Sequence, residues 1–581
     1  MLFIRSTSRC CLLLLFALTV LFGCDPPPRP PLAASRSAEP QRADNDSATP
    51  AVTEQTRLNE RSRTPGDAFD EGDEGTSGPP STTDKTLPAD EENRASAERS
   101  LPPAETPLSG WETWDAYFIG DEPIGFAHVR AEPISGGRTR YELRDQMTLQ
   151  RGSSALTHQI IQQSIEGSDG RLQSFEATLL IGPAKTQFVG RREGEQLTIE
   201  VTRGLQRSTR QIAWKDDCLG LLGVQQSLLR KPLAAGERRQ IETLLPVHYE
   251  VGEFQLQATA KRSVPLLDGT LQALTEINSQ LSLGPNVVVD SYLWIDDAGN
   301  TLKSYTPALN LTAYRTDQAT ATTAVQPRHD LLTAASIQIQ GRLRDPLAAK
   351  AVRFRLRPAA SPSGSPGSSS TLPKIPAAAG QQVQSDEETS AVDVKVVAGV
   401  DTDSGLPAPT AADTAANPLI ESDHPRIRAM AKAALIAPAK TPRGNALQLT
   451  GFVRQFIKTK DYSRGFSTAS EVAKEATGDC TEHAVLLAAL LRSQQIPARL
   501  VAGLTWVDTA EGPVMMYHLW TVAFVDGGWL PLDATLGGVA PASRIALVTT
   551  DLASGNEYEC FSPILGIMGR VEIELVPQEK K

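Results

Sequence analysis

The sequence predicts an α+β protein: a long, mostly antiparallel β domain, then a smaller C-terminal domain in which helices precede a β-hairpin. Three observations predict it. Between Trp111 and Leu356, apolar residues alternate with polar ones at the period of half-buried strands. From His424 the apolar spacing lengthens to a helical period and then returns to strands. Segments of Pro, Ser, Thr, Ala and charged residues flank both stretches, with too little apolar surface to offset the entropy of ordering. At about 150 residues per domain, 581 residues leave room for three or four units. The expected division is 1–23, an N-terminal signal segment; 24–108, a disordered linker; 109–357, the β-rich domain; 358–420, a second disordered linker; and 421–581, the C-terminal α+β domain.

The N-terminus reads as an address. Arg5 and Arg9 form a positive flank, and Cys10 to Phe22 is an apolar run too short to span a bilayer. It ends in Leu21-Phe22-Gly23-Cys24, similar to a bacterial lipobox, although Phe22 stands where a small residue is usual. Cys24 is therefore the candidate lipidation site. The body of the protein is expected outside the cytoplasm, anchored to a membrane through acyl chains on Cys24. Ordinary secretion with cleavage nearby, or an uncleaved anchor, are the other readings, and both also export the chain.

The net charge of −11 comes partly from tail runs such as Asp70-Glu71-Gly72-Asp73-Glu74, and there is no sustained Lys/Arg stripe. A nucleic-acid partner is not expected. Of six cysteines, Cys10 and Cys11 fall in the signal and Cys24 takes the lipid. Cys218, Cys480 and Cys560 remain, an odd number that leaves at least one free thiol. A Cys218–Cys560 bridge is compatible with the count.

In the β domain, Tyr141, Leu143, Met147 and Leu149 alternate with polar residues, and Gly136-Gly137 and Asp169-Gly170 mark turns. Val287 to Ile295 leads through Asp296-Asp297-Ala298-Gly299-Asn300 into a strand containing Leu302. The pattern is a curved or partly closed meander, with a helical interval near Cys218 to Leu229 on its face. No aromatic or charge cluster along the sequence assigns this domain a function. Ser361 to Gly367 opens the second linker, because a loop of this length inside one domain is improbable.

In the C-terminal domain, Arg426 to Leu435 and Ala446 to Ile457 are amphipathic helices. Gly478-Asp479-Cys480-Thr481-Glu482-His483 then opens a helix that is apolar nearly all round. Asp479 suits the N-cap, which puts Cys480 in the first turn. There the helix dipole and backbone N–H groups favour a thiolate and stabilise an oxyanion. Tyr517 to Val525 reads as a strand, Asp526-Gly527 as its turn and Gly528 to Thr535 as the return. With a two-residue turn Val525 faces Gly528, so His518 and Asp533 share a face in diagonal positions. Diagonal neighbours lie about 7–8 Å apart at the backbone, within reach of an imidazole and a carboxylate. Each residue alone has an ordinary reading: a core thiol, a structural histidine, a turn aspartate. Together, in order and in compatible local structure, they form a candidate nucleophile, base and orienting acid. A zinc site built from Cys480, His483 and His518 is disfavoured, because paired thiolates are absent and His483 lies where the helix must pack.

These strings, with Gln495-Ile496-Pro497-Ala498-Arg499, Val501-Ala502-Gly503 and Gly528-Trp529-Leu530-Pro531-Leu532-Asp533, resemble the transglutaminase-like family over roughly residues 440 to 540. The resemblance implies a papain-like α+β fold in which Cys480 is nucleophile, His518 general base and acid, and Asp533 the orienting acid. Leu519 and Ala534 depart mildly from the family pattern. The family often takes a second oxyanion donor from an upstream side chain, and Tyr462 is the candidate. The implied activity is acyl transfer or hydrolysis on amide bonds of protein or peptide substrates, through a thioester. No nucleotide, metal or other cofactor is expected, and no loop carries calcium-site spacing. Two rival readings stand beside it: an inactive envelope-binding module of the same fold, and a chain whose β domain has the main role.

Overall fold

The computed structural model describes residues 110–577, apart from 152–153, 183, 205, 284–286, 324, 326–335, 360–371, 387, 403–404, 461–465 and 554–557. The expected export signal and 24–108 linker, with Cys24, and the candidate donor Tyr462 lie outside the described residues.

Among the described residues, fourteen strands between Trp111 and Thr316 form one antiparallel sheet. Eight follow one another from Trp111–Ile119 to Gln206–Ala213, and six from Arg238–Leu244 to Leu311–Thr316. The two meanders join where Tyr117 of the first strand lies opposite Ala313 of the last. The alternation around Tyr141 becomes the strand Arg138–Arg151, with Tyr141, Leu143, Met147 and Leu149 all buried. Gly136 and Gly137 take φ of 76° and 68° in the preceding turn, a conformation costly for residues with a Cβ. The sheet curves on itself: Tyr249, beyond the strand Arg238–Leu244, stacks on Phe175 at 4.7 Å. The helical interval is the helix Gly223–Arg230, whose Val224 and Leu228 enter the same apolar core.

The sheet's other face carries aromatic residues that the sequence scatters over two hundred positions. Tyr292 lies opposite Tyr305, and Trp294 opposite Lys303. Lys303 in turn sits 5.4 Å from the Trp294 ring centre and 5.0 Å from that of Tyr314. Phe118 meets Tyr314 edge-on at 5.8 Å, and Trp114 stacks on His128 at 4.1 Å. Cross-strand pairs of this kind are the unit of sheet stabilisation.

The second sheet begins earlier than the sequence suggests. Its order is Gln381–Asp386, Ala391–Val397, Ala351–Pro358, Val571–Leu575, Ile337–Gln340, Gly512–Val525, Ala498–Thr509 and Arg544–Thr550, with Gly528–Asp533 paired to Gly512–Val525. The expected boundary at 357/358 is therefore corrected. Ile337–Gln340 and Ala351–Pro358 belong to the C-terminal sheet, and the 358–420 linker contains two of its strands. The period-2 signal is present in Ala391–Val397, where Val392, Val394 and Val396 are buried between Asp393 and Lys395. Low-complexity composition on both sides masks it. Residues 411–413 form a helical turn whose Asp413 is buried against Arg499, at 2.7 and 2.9 Å. Helices Pro425–Ala434, Pro442–Phe456 and Ala469–Glu475 pack around the helix Cys480–Ser493. Cys218, Cys480 and Cys560 are buried and in no disulfide, so no Cys218–Cys560 bridge forms. No described helix is long and apolar enough to cross a membrane.

Candidate active site

The helix Cys480–Ser493 starts where it does because Asp479 and Glu482 cap it reciprocally. The Asp479 carboxylate accepts from the Thr481 N–H at 2.8 Å and from the backbone of Glu482, while Glu482 Oε2 accepts from the Asp479 N–H at 2.9 Å. This is a capping box with Asp in the leading place. Glu482 Oε1 also accepts from the Ser467 N–H at 3.1 Å. Burial first, and the Asp479 charge second, push the Glu482 carboxyl up to about 8. Gly478, at φ 150°, leaves the space that Glu482 fills; a Cβ there would lie 2.9 Å from Oε2 and overlap the side-chain stem. His483 Nδ1 lies 2.6 Å from the Asp479 carbonyl, so that nitrogen carries the proton. Cys480 is the first helical residue and is 0 % exposed.

The far end of this helix is anchored by Arg492, which donates to the carbonyls of Ala498 (2.8 Å), Ala415 (3.1 Å) and Asp551 (2.9 Å). Burial lowers its pKa to about 10. On the flank, Thr521 Oγ1 donates to the Ala484 carbonyl at 3.1 Å. That bond ties the strand carrying His518 to the helix that begins with Cys480.

The hairpin has the two-residue turn. Val525 pairs with Gly528, Val522 with Pro531 and Thr521 with Leu532. Asp526 and Gly527 take φ of 54° and 78°, as a type I′ turn requires. His518 and Asp533 then meet: Nε2 is 3.0 Å from Oδ2, with the two residues 2 % and 1 % exposed. Thr535 donates to Asp533 Oδ1 through its N–H at 2.8 Å and its hydroxyl at 2.6 Å. Arg544, from the strand Arg544–Thr550, donates to Oδ2. Burial alone would raise the Asp533 pKa, but Arg544, His518 and the Thr535 hydroxyl together hold it well below the usual carboxylate range.

Sequence reasoning missed Glu482, Thr535 and Arg544. The first two were legible: Asp-x-x-Glu before an apolar helix is a cap signal, and Asp-x-Thr is an Asx-turn pattern. Arg544 carried no local signal. Among the described residues, no group of three His, Cys, Asp or Glu is arranged to hold a metal ion.

A cysteine heading a buried helix, with a His–Asp pair on a hairpin whose strand is bonded to that helix through Thr521 and Ala484, is the arrangement of a papain-like α+β fold. Residues 429–534 match the family model of the transglutaminase-like superfamily, and the C-terminal part of the chain is a transglutaminase-like domain. No curated protein matches the sequence. Among solved structures, a proposed cysteine protease from Cytophaga hutchinsonii is similar at 12% identity and TM-score 0.25, covering 40% of this chain and 89% of its own. A proposed protease from Parabacteroides distasonis aligns at 11% identity and TM-score 0.18, covering 62% and 68%. A β-barrel-like protein of a domain of unknown function from Brucella abortus aligns at 8% identity and TM-score 0.29, covering 36% and 95%. At these TM-scores the three likenesses carry no weight for function.

Proposed function

We propose that the chain is a thiol enzyme acting on amide bonds of proteins or peptides, with Cys480 as nucleophile, His518 as general base and acid, and Asp533 as orienting acid. The observation that carries this reading is the 3.0 Å His518–Asp533 contact on a strand bonded to the helix headed by Cys480. With Nε2 on the carboxylate, Nδ1 is the ring nitrogen that takes the thiol proton. The thiolate attacks the amide carbonyl carbon, the C–N bond breaks, and His518 returns the proton to the leaving amine. The resulting thioester is released when an amine or water, deprotonated by His518, attacks it. The Cys480 N–H, at the start of the helix, is the proposed oxyanion donor.

An amine acceptor makes the enzyme a transferase, and water makes it a peptidase or deamidase. The test is incubation of the full chain with an amine probe and envelope protein, followed by mass spectrometry. Incorporated probe identifies a transferase. A one-unit mass gain at glutamine, or new peptide termini, identifies a hydrolase. If none of these products appears, or if all persist in Cys480→Ala, the enzyme reading fails. The same proposal places the protein at the cell envelope, held by lipid on Cys24. Metabolic labelling with a fatty acid, lost in Cys24→Ser, checks that part.

A further inference from the structure

We propose that Arg544 is a positioning residue of this site: its guanidinium keeps the Asp533 carboxylate charged and turned toward His518 through the whole reaction cycle. The inference rests on Asp533 being the orienting acid proposed above.

Asp533 is 1 % exposed and each of its oxygens is held twice, Oδ1 by the two Thr535 donors and Oδ2 by His518 and Arg544. The charged or titratable groups that face it are Arg544, from the strand Arg544–Thr550, and His518, from its hairpin partner. Their roles over a cycle differ. His518 is a cation only after it has taken the thiol proton. Once it has returned that proton to the leaving amine, at the thioester stage, it is neutral. A buried carboxylate beside a neutral imidazole gains free energy by taking a proton, since burial penalises its charge. Guanidinium does not deprotonate in proteins, so Arg544 supplies the missing countercharge at that stage.

The surroundings of Arg544 argue against a purely structural ion pair. The residue is 4 % exposed, yet its Nε and Nη1 have no hydrogen-bond partner. Arg499, on the same sheet, shows the structural alternative, with Nε and Nη2 both bonded to Asp413. A buried arginine that leaves two nitrogens unsatisfied is poorly suited to stabilising a fold. Its guanidinium instead lies 5.3 Å from the ring centre of Trp520, and the Trp520 ring runs at 20° to the His518 imidazole. Arg544, Trp520, His518 and Asp533 thus form one buried unit, in which the arginine touches the acid and the indole lies along the base.

The test is the pH profile of Cys480 alkylation by iodoacetamide, followed by peptide mass spectrometry on the full chain. In Arg544→Gln the acid-side midpoint of fast alkylation moves up by about one pH unit or more, because Asp533 takes its proton at a higher pH. In an Asp533→Asn background the same substitution leaves the midpoint within a few tenths of a unit. Arg544→Lys keeps the charge, so its midpoint stays near that of the unaltered protein while the neutral-pH rate falls; this variant also serves if the glutamine protein does not fold. An unmoved midpoint in Arg544→Gln overturns the proposal. So does an equal shift with Asp533 absent, or a lysine variant shifted as far as the glutamine one. If Cys480 of the unaltered protein alkylates no faster than a free thiol and His518→Ala changes nothing, the triad reading fails instead.

Discussion

Gly503 lies directly opposite His518 in the paired strands, and its missing side chain makes room for Trp520 beside the imidazole. A Cβ at this position would stand 2.9 Å from Trp520 Cη2 and 2.9 Å from the Ala546 Cα, and would run into the Ile545 carbonyl oxygen. Two of those neighbours are backbone and cannot step aside.

Gly503→Ala is therefore expected to destabilise the C-terminal domain by about 1–3 kcal/mol, the usual cost of overpacking. Urea unfolding followed by tryptophan fluorescence reads it. A midpoint equal to that of the unaltered protein would mean that the strands part at no cost.

His518→Ala and Asp533→Asn should separate chemistry from stability. Loss of the base removes most thiolate at neutral pH, and loss of the carboxylate leaves the imidazole misdirected. Each is expected to lower the turnover rate by about 10²-fold or more. The check is the rate of product formation, with circular dichroism showing an unchanged fold.

Glu482 gives a pH signature. Its folded pKa is raised to about 8 by burial and by Asp479. A group raised in the folded state contributes its stability fully below its unfolded value of about 4.3, and loses that contribution as pH rises through the folded value. Stability should thus fall between about pH 5 and pH 8 on account of this residue. Glu482→Gln loses part of the cap but cannot titrate. Its unfolding midpoint should change less across that window, and an identical slope would remove Glu482 as the cause.

Asp413→Ala tests whether 411–413 belongs to the domain. The substitution leaves Arg499 buried with its main partner gone, although Arg499 also rests over the Trp529 ring at 4.4 Å. Breaking a buried pair from one side costs about 3–5 kcal/mol. A loss within a few tenths of a kcal/mol would return the segment to the status of a linker.

What could be read along the chain was whatever depends on neighbours in sequence. Asp479 caps from one residue before the helix, and the Asp526-Gly527 turn sets the register of the strands it joins. Parity alone then put His518 and Asp533 on one face, 15 residues apart. The transglutaminase-like fold was legible for the same reason, since its motifs are short strings at turns and helix starts. The division of the chain was less legible. Val392, Val394 and Val396 alternate as a strand does, but one strand between low-complexity flanks has no visible partner until Ala351–Pro358 and Gln381–Asp386 pair with it.

Only the tertiary structure could decide the rest. Arg544 reaches Asp533 from a strand that pairs with Ala498–Thr509, not with the hairpin, and no spacing rule links positions related through two other strands. The outer aromatic row of the first sheet is of the same kind, because Trp114 joins Tyr314 and Trp294 only when the last strand pairs with the first. Local hydrogen bonding and side-chain parity determine the His–Asp pair. Long-range strand pairing determines the charge that holds its acid.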